Sequence, residues 1–196
     1  MTTADLSSVA AKAALRRRIR DARQARGEAD RVHAAGSIAA RAIPLLAGST
    51  IVASYLSMDS EPGTAELIDL LRQRDIRVLL PRVEDQELVW VEFVDGTAFT
   101  RSMLGMQEPT GRGIVGALAD CNAIVLPALA VASDGSRLGQ GGGFYDRALQ
   151  DVPMHADGGP LRIGLLFDDE IFAELPTEAH DCRVDHAITP ERTLSF

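Results

Sequence analysis

The stretch from residue 51 to residue 81 constrains the fold most. IVASYL (51–56) is short, apolar and partly β-branched, which suits a buried strand. SMDSEPG (57–63) is a loop. TAELIDLLRQR (64–74) has helical spacing, with Thr64 placed as its N-cap. IRVLLP (76–81) is the next strand. Strand, helix and strand in this order make a βαβ unit, whose crossover is right-handed.

The rest of the chain extends that pattern. LVWVEFV (88–94), AIVLPAL (123–129) and RIGLLF (162–167) read as strands, and HAITP (186–190) as a short last one. Asp134-Gly135 signals a hairpin leading into SRL, and a short helix follows around Tyr145 to Gln150. Two helices open the chain, together covering about residues 7–46. The first is capped at Ser7 or Ser8, carries Ala11, Leu15, Ile19 and Ala22 on one side, and stops at Gly27. The second runs from Glu28 to Leu46, with Val32, Ala35, Ile38, Ala39 and Ile43 on one side. Alternating strands and helices predict a three-layer α/β/α domain with a mainly parallel sheet. At 196 residues, with 46% hydrophobic residues, residues 1–196 suit a single domain with a real core. No internal repeat or low-complexity segment is visible.

Composition excludes several classes. Mean hydropathy is +0.02, and no apolar run approaches the roughly 20 residues of a membrane helix. The N-terminus has no apolar segment behind a basic start, so a secretory signal is not expected. Cys121 and Cys182 form no CxxC pair, which argues against a zinc site or disulfide framework and suits a reducing cytoplasm. The net charge of −8 disfavours general nucleic-acid binding. Yet residues 1–41 hold nine Lys/Arg against four Asp/Glu. That basic arm is either a solvated face, a nucleic-acid arm, or a cluster for a small polyanion.

SRLGQGGGFYDR (136–147) carries Gly139, Gly141, Gly142 and Gly143. Glycine loops hold phosphates because the backbone comes close and aims several N–H groups at one anion. GxxxxGK[ST] is absent, and GxGxxG fails at Phe144. Spacing alone leaves a ligand-free turn and an anion site equally open. The chain has 19 arginines and one lysine, Lys12, which shares a helix face with Arg16. A solvated face and a polyanion site both fit that pair.

RLGQGGGFYDR resembles the signature of the 5-formyltetrahydrofolate cyclo-ligase family, also called 5,10-methenyltetrahydrofolate synthetases. KAALR (12–16), LSMDSE (56–61), LLPRV (79–83), MQEP (106–109) and LPTEAHDCRVD (175–185) resemble its other segments, in the same order. The resemblance implies a sugar-isomerase/CoA-transferase-like fold. It also implies ATP-dependent, magnesium-requiring ring closure of 5-formyltetrahydrofolate to 5,10-methenyltetrahydrofolate, with release of ADP and phosphate. The formyl oxygen would attack the γ-phosphate, giving a phosphorylated imine that the folate N10 attacks. Such chemistry needs positioning and charge neutralisation more than a protein nucleophile.

The resemblance assigns residues too. Lys12, Arg16 and the run Arg137, Leu138, Gly139, Gln140, Gly141, Gly142, Gly143, Phe144 and Tyr145 would bind ATP. Leu56, Glu61 and Gln140 to Phe144 would bind the folate, with Glu61 accepting from pterin N–H groups. Asp146 and Asp181 would hold Mg²⁺. Arg137 and Tyr145 are the candidate catalytic groups; an acid–base role for Tyr145 or His180 is not required by the resemblance, and positioning or packing is the alternative for both. Gln140, Phe144 and Leu104 depart from the family pattern, which bears on substrate affinity. The expected partners are small molecules, with no nucleic acid and no membrane, and the expected state is a monomer or weak oligomer. The rival reading is a non-catalytic relative that binds folate or nucleotide.

Overall fold

The computed structural model describes residues 3–102, 105–178 and 181–196. The readings for Leu104 and His180 fall outside them. The βαβ unit is present: β1 (Ile51–Ala53), α3 (Ala65–Arg72) and β2 (Arg77–Glu84), with β1 and β2 parallel. Three further strands, β6 (Ala123–Pro127), β9 (Leu161–Leu165) and β11 (His186–Ile188), extend the sheet in parallel. Its two edges are antiparallel: β3 (Glu87–Glu92) beside β2, and β12 (Thr193–Ser195) beside β11. The order is β12-β11-β9-β6-β1-β2-β3.

Strand alternation sorts the core into two layers. Val52, Val78, Leu80, Val125 and Ile163 pack against α2 (Glu28–Leu46) and α3. Ala53, Leu79, Trp90, Ile124 and Leu126 face the opposite way. There they meet a 3₁₀ turn at Ala117–Asp120 and the short α4 (Phe144–Ala148), through Tyr145 and Ala148. The result is the three-layer α/β arrangement with a mainly parallel sheet. Two smaller pieces complete the described residues. β4 (Phe99–Arg101) and β5 (Gln107–Pro109) form a ribbon, while β7 (Ala130–Ala132), β8 (Arg137–Leu138) and β10 (Ile171–Phe172) form a three-stranded sheet. The hairpin predicted at Asp134-Gly135 joins β7 to β8, with Gly135 at φ 81° and Asp134 accepting from Ser136 N–H and Oγ–H.

The N-terminal helices differ from the expectation in detail. α1 spans Thr3–Gln24, so Ser7 and Ser8 lie inside it. Gly27 does not stop α1; its extended backbone is the N-cap of α2. Ala11 and Ala22 are exposed, and the inward stripe is Lys12, Leu15, Arg16, Ile19 and Arg23. Alanine is too small to dominate a helix face once arginines find partners. Val32 is likewise exposed, with Ala34 inside in its place. Thr64 does sit at the N-cap of α3, but its side chain makes no capping bond. Its hydroxyl instead donates to Tyr55 O and accepts from Ser57 N–H, which pins the loop after β1.

Candidate active site

The glycine loop joins β8 to α4 and lies against α1. Gly141 (φ 105°) and Gly143 (φ 69°) hold backbone conformations that side chains resist. A Cβ on Gly139 would come within 2.8 Å of the Arg137 guanidinium. Here the glycines serve close approach.

Four cations of α1 run along the loop and its neighbours. Lys12, 3% exposed, donates to Glu178 Oε2 (2.7 Å) and Asp181 Oδ2 (2.6 Å). Arg16 Nε donates to Gly139 O at 2.9 Å. Arg20 donates to Gln140 O (2.6 Å) and to its amide Oε1 (3.0 and 3.1 Å). Arg23 forms a buried two-bonded pair with Glu170. Arg20 and Arg23 have no counterpart in the sequence reading, because their partners lie more than 100 residues away.

On its other side the loop borders a cavity of about 140 Å³. An apolar cavity of about that size holds a benzene-sized ring, so it suits a ring head rather than a whole folate. Tyr55, Leu56, Leu80, Met106, Phe144 and Tyr145 give it apolar walls. Glu61 faces it from the loop after β1. Gln140 Nε2 donates to Glu61 Oε1 (2.9 Å), and Met58 N–H to Glu61 Oε2 (2.9 Å). Gln140 thus links Arg20 on the cationic helix to Glu61 of the cavity.

Arg137 lies at the boundary, 4% exposed. It donates to Asp146 Oδ1 (2.8 Å), Pro127 O (2.8 Å) and Cys182 Sγ (3.1 Å). Burial alone would lift the Asp146 carboxyl, but Arg137 and the Cys182 N–H hold it below its ordinary value. Burial pushes the Tyr145 phenol well up, helped by Glu61. Its hydroxyl is buried with no partner, while its ring meets Trp90 edge-on at 6.1 Å. Tyr145 therefore keeps its proton: it can donate a hydrogen bond, and it is neither a base nor a ready acid. Leu138 packs its side chain into the core beside Ile19 and Leu129, so only its backbone is available to a ligand.

Asp146 and Asp181 both line a second pocket of about 540 Å³ on the far side of Gly143. Among the described residues no group of three or more metal-ligating side chains comes together. Mg²⁺ takes one or two protein carboxylates and completes its shell with water and substrate phosphates. Asp146 and Asp181, two carboxylate side chains on one pocket, fit that donor set.

The geometry sets a cation-bearing helix on a glycine loop, beside a carboxylate-bearing cavity. Residues 8–190 match the 5-formyltetrahydrofolate cyclo-ligase family. The chain belongs to that family. It is 35% identical to the 5-formyltetrahydrofolate cyclo-ligase of Mycolicibacterium smegmatis, over 76% of this chain and 77% of that one. It is 30% identical to the Escherichia coli K12 protein of the same name, over 74% and 80%. Its fold matches the 5,10-methenyltetrahydrofolate synthetase of Aquifex aeolicus with a TM-score of 0.80, at 25% identity and 94% and 92% coverage.

Proposed function

We propose that this chain, as one domain over residues 1–196, is an ATP-dependent 5-formyltetrahydrofolate cyclo-ligase that yields 5,10-methenyltetrahydrofolate, ADP and phosphate. The observation that carries the reading is the Gln140 bridge. One residue of the glycine loop touches both the helix of cations and Glu61 of the cavity. The phosphate side and the ring side of such a reaction must meet within a few ångströms.

In this reading Lys12, Arg16 and the loop N–H groups hold the ATP phosphates, with Arg137 adding charge where phosphoryl transfer builds it. Leu56, Glu61 and residues 140–144 seat the folate head. Tyr145 donates its unpartnered hydrogen bond to a reacting oxygen. The apolar walls keep water from the phosphorylated intermediate. Asp146 and Asp181 would hold magnesium, which supplies charge neutralisation on the phosphates. The buried, free thiols of Cys121 and Cys182 suit a reducing cytoplasm, where the protein would act as a monomer or weak oligomer.

The test is near-ultraviolet absorbance. Methenyltetrahydrofolate should accumulate only when 5-formyltetrahydrofolate and MgATP are both present. Folate binding without turnover would instead select the non-catalytic reading.

A further inference from the structure

We propose that Glu108 is a second substrate-binding carboxylate, accepting hydrogen bonds from N–H groups of the reduced pterin head in the cavity that it lines together with Glu61. The proposal rests on the folate reading of the cavity.

Glu108 stands on β5, which packs against β2, and its side chain helps line the cavity. It is only 8% exposed. Among the described residues it has no ion pair and one hydrogen bond, a long one from Val83 N–H to Oε1 at 3.3 Å. A carboxylate offers about four acceptor positions, and one held out of water needs donors. The nearby cations do not supply them. Arg82 is bonded to Glu84, Pro109 O and Gly111 O, and Arg137 to Asp146, Pro127 O and Cys182. Glu61 contrasts with it, since both of its oxygens already accept good bonds. Glu108 is therefore the most buried of the cavity's under-bonded carboxylates, since Asp146 is more open and is paired with Arg137.

That surplus defines the ligand. Among the described residues three carboxylates line the cavity, Glu61, Glu108 and Asp146, and its one guanidinium, Arg137, is already paired with Asp146, so the lining repels an anionic head. It suits a neutral, flat heterocycle with several N–H groups along its edges. The 2-amino-4-oxo pyrimidine of a reduced pterin has that character, and the apolar walls fit its faces. The sequence places Glu108 in MQEP, one of the segments that resemble the family, without a role for the residue itself.

The test is Glu108→Gln, which keeps the shape and an acceptor for Val83 N–H but loses the charge and one acceptor oxygen. Equilibrium binding of 5-formyltetrahydrofolate without ATP, the KM for ATP and thermal melting are measured together. Folate affinity should fall about 10- to 100-fold, the size of a lost bond to a charged group. The KM for ATP should stay within about twofold, since the phosphate groups are untouched. Melting temperature should hold or rise, because an under-bonded buried charge is gone. A structural role moves the other way: Tm falls and both substrates weaken together, which overturns the proposal. Equal folate affinity in variant and wild type overturns it too. A wild type that binds no folate sinks the cavity assignment as a whole, so the two failures are distinct.

Discussion

The anchoring of α1 sets up the sharpest prediction. This helix brings Lys12, Arg16 and Arg20 to the glycine loop, and its own fixture is the Arg23–Glu170 pair. Their side chains are 1% and 3% exposed. Glu170 accepts from Arg23 Nε (2.7 Å) and Nη2 (2.8 Å), and from Phe167 N–H (2.9 Å). Glu170→Ala strands a buried guanidinium, which costs about 3–5 kcal/mol. It also orphans the Phe167 N–H, worth about 1 kcal/mol more. At about 2–4 °C per kcal/mol for a chain of this size, melting temperature should drop by about 10–20 °C. A double variant, Arg23→Met with Glu170→Leu, removes both charges and should recover most of that loss. Calorimetry measures both. In the single variant below its melting point, apparent ATP affinity should weaken more than folate affinity, because α1 carries the phosphate cations. A Glu170→Ala protein melting within about 3 °C of wild type would refute the reasoning, as would a double variant no better than the single.

Three further outcomes are expected. Tyr145→Phe removes a buried hydroxyl with no partner, so Tm should hold or rise while kcat falls about 10- to 100-fold with KM nearly unchanged. Asp146 has a folded pKa below its unfolded one, so its stabilisation is complete above the ordinary carboxylate range. That stabilisation is lost as pH falls through the depressed value, so Tm should drop on acidification below about pH 4. Asp146→Asn should flatten that acid limb in a pH series of melts. Lys12→Arg keeps the charge but forces a larger group between two carboxylates at 2.6 and 2.7 Å. The KM for ATP should rise about tenfold and folate affinity should not, as separate titrations would show.

The parallel centre of the fold was legible because 51–56, 76–81, 123–129 and 162–167 are apolar runs of strand length. The edges were not. The β2–β3 hairpin turns on Asp85 and Gln86, both at positive φ, and Asp-Gln is no usual sign of such a turn. β7, β8 and β10 are two or three residues each, too short to show a period. In α1 the alanines at 11 and 22 suggested an apolar face, whereas the face that packs is largely cationic. Local patterning cannot reveal this, since Arg23 and Lys12 become buried only through Glu170, Glu178 and Asp181. The site divided similarly. The residues in the glycine segment and near it were readable as a motif. Arg20 and Glu108 were not, because their significance is set by what does or does not lie opposite them in space.

The arginine bias sharpens the meaning of the one lysine. Elsewhere along α1 a guanidinium does work that an ammonium could not. Arg23 grips Glu170 with two nitrogens and reaches Ala128 O as well, and Arg20 takes both oxygens of Gln140. A planar fork suits such paired acceptors. At position 12 the acceptors are single oxygens from two different carboxylates, converging on one point. A compact charge with rotatable donors fits that geometry, and a fork does not. Lys12 also donates to Asp181, one of the two carboxylates on the 540 Å³ pocket. In the proposed reaction a phosphate and a magnesium ion would both arrive beside this ammonium. Its protein partners are acids that a magnesium ion can share, while a phosphate can take their place as acceptor for the ammonium. A lysine there lets one buried site serve two occupancies, which a guanidinium locked by its fork would resist.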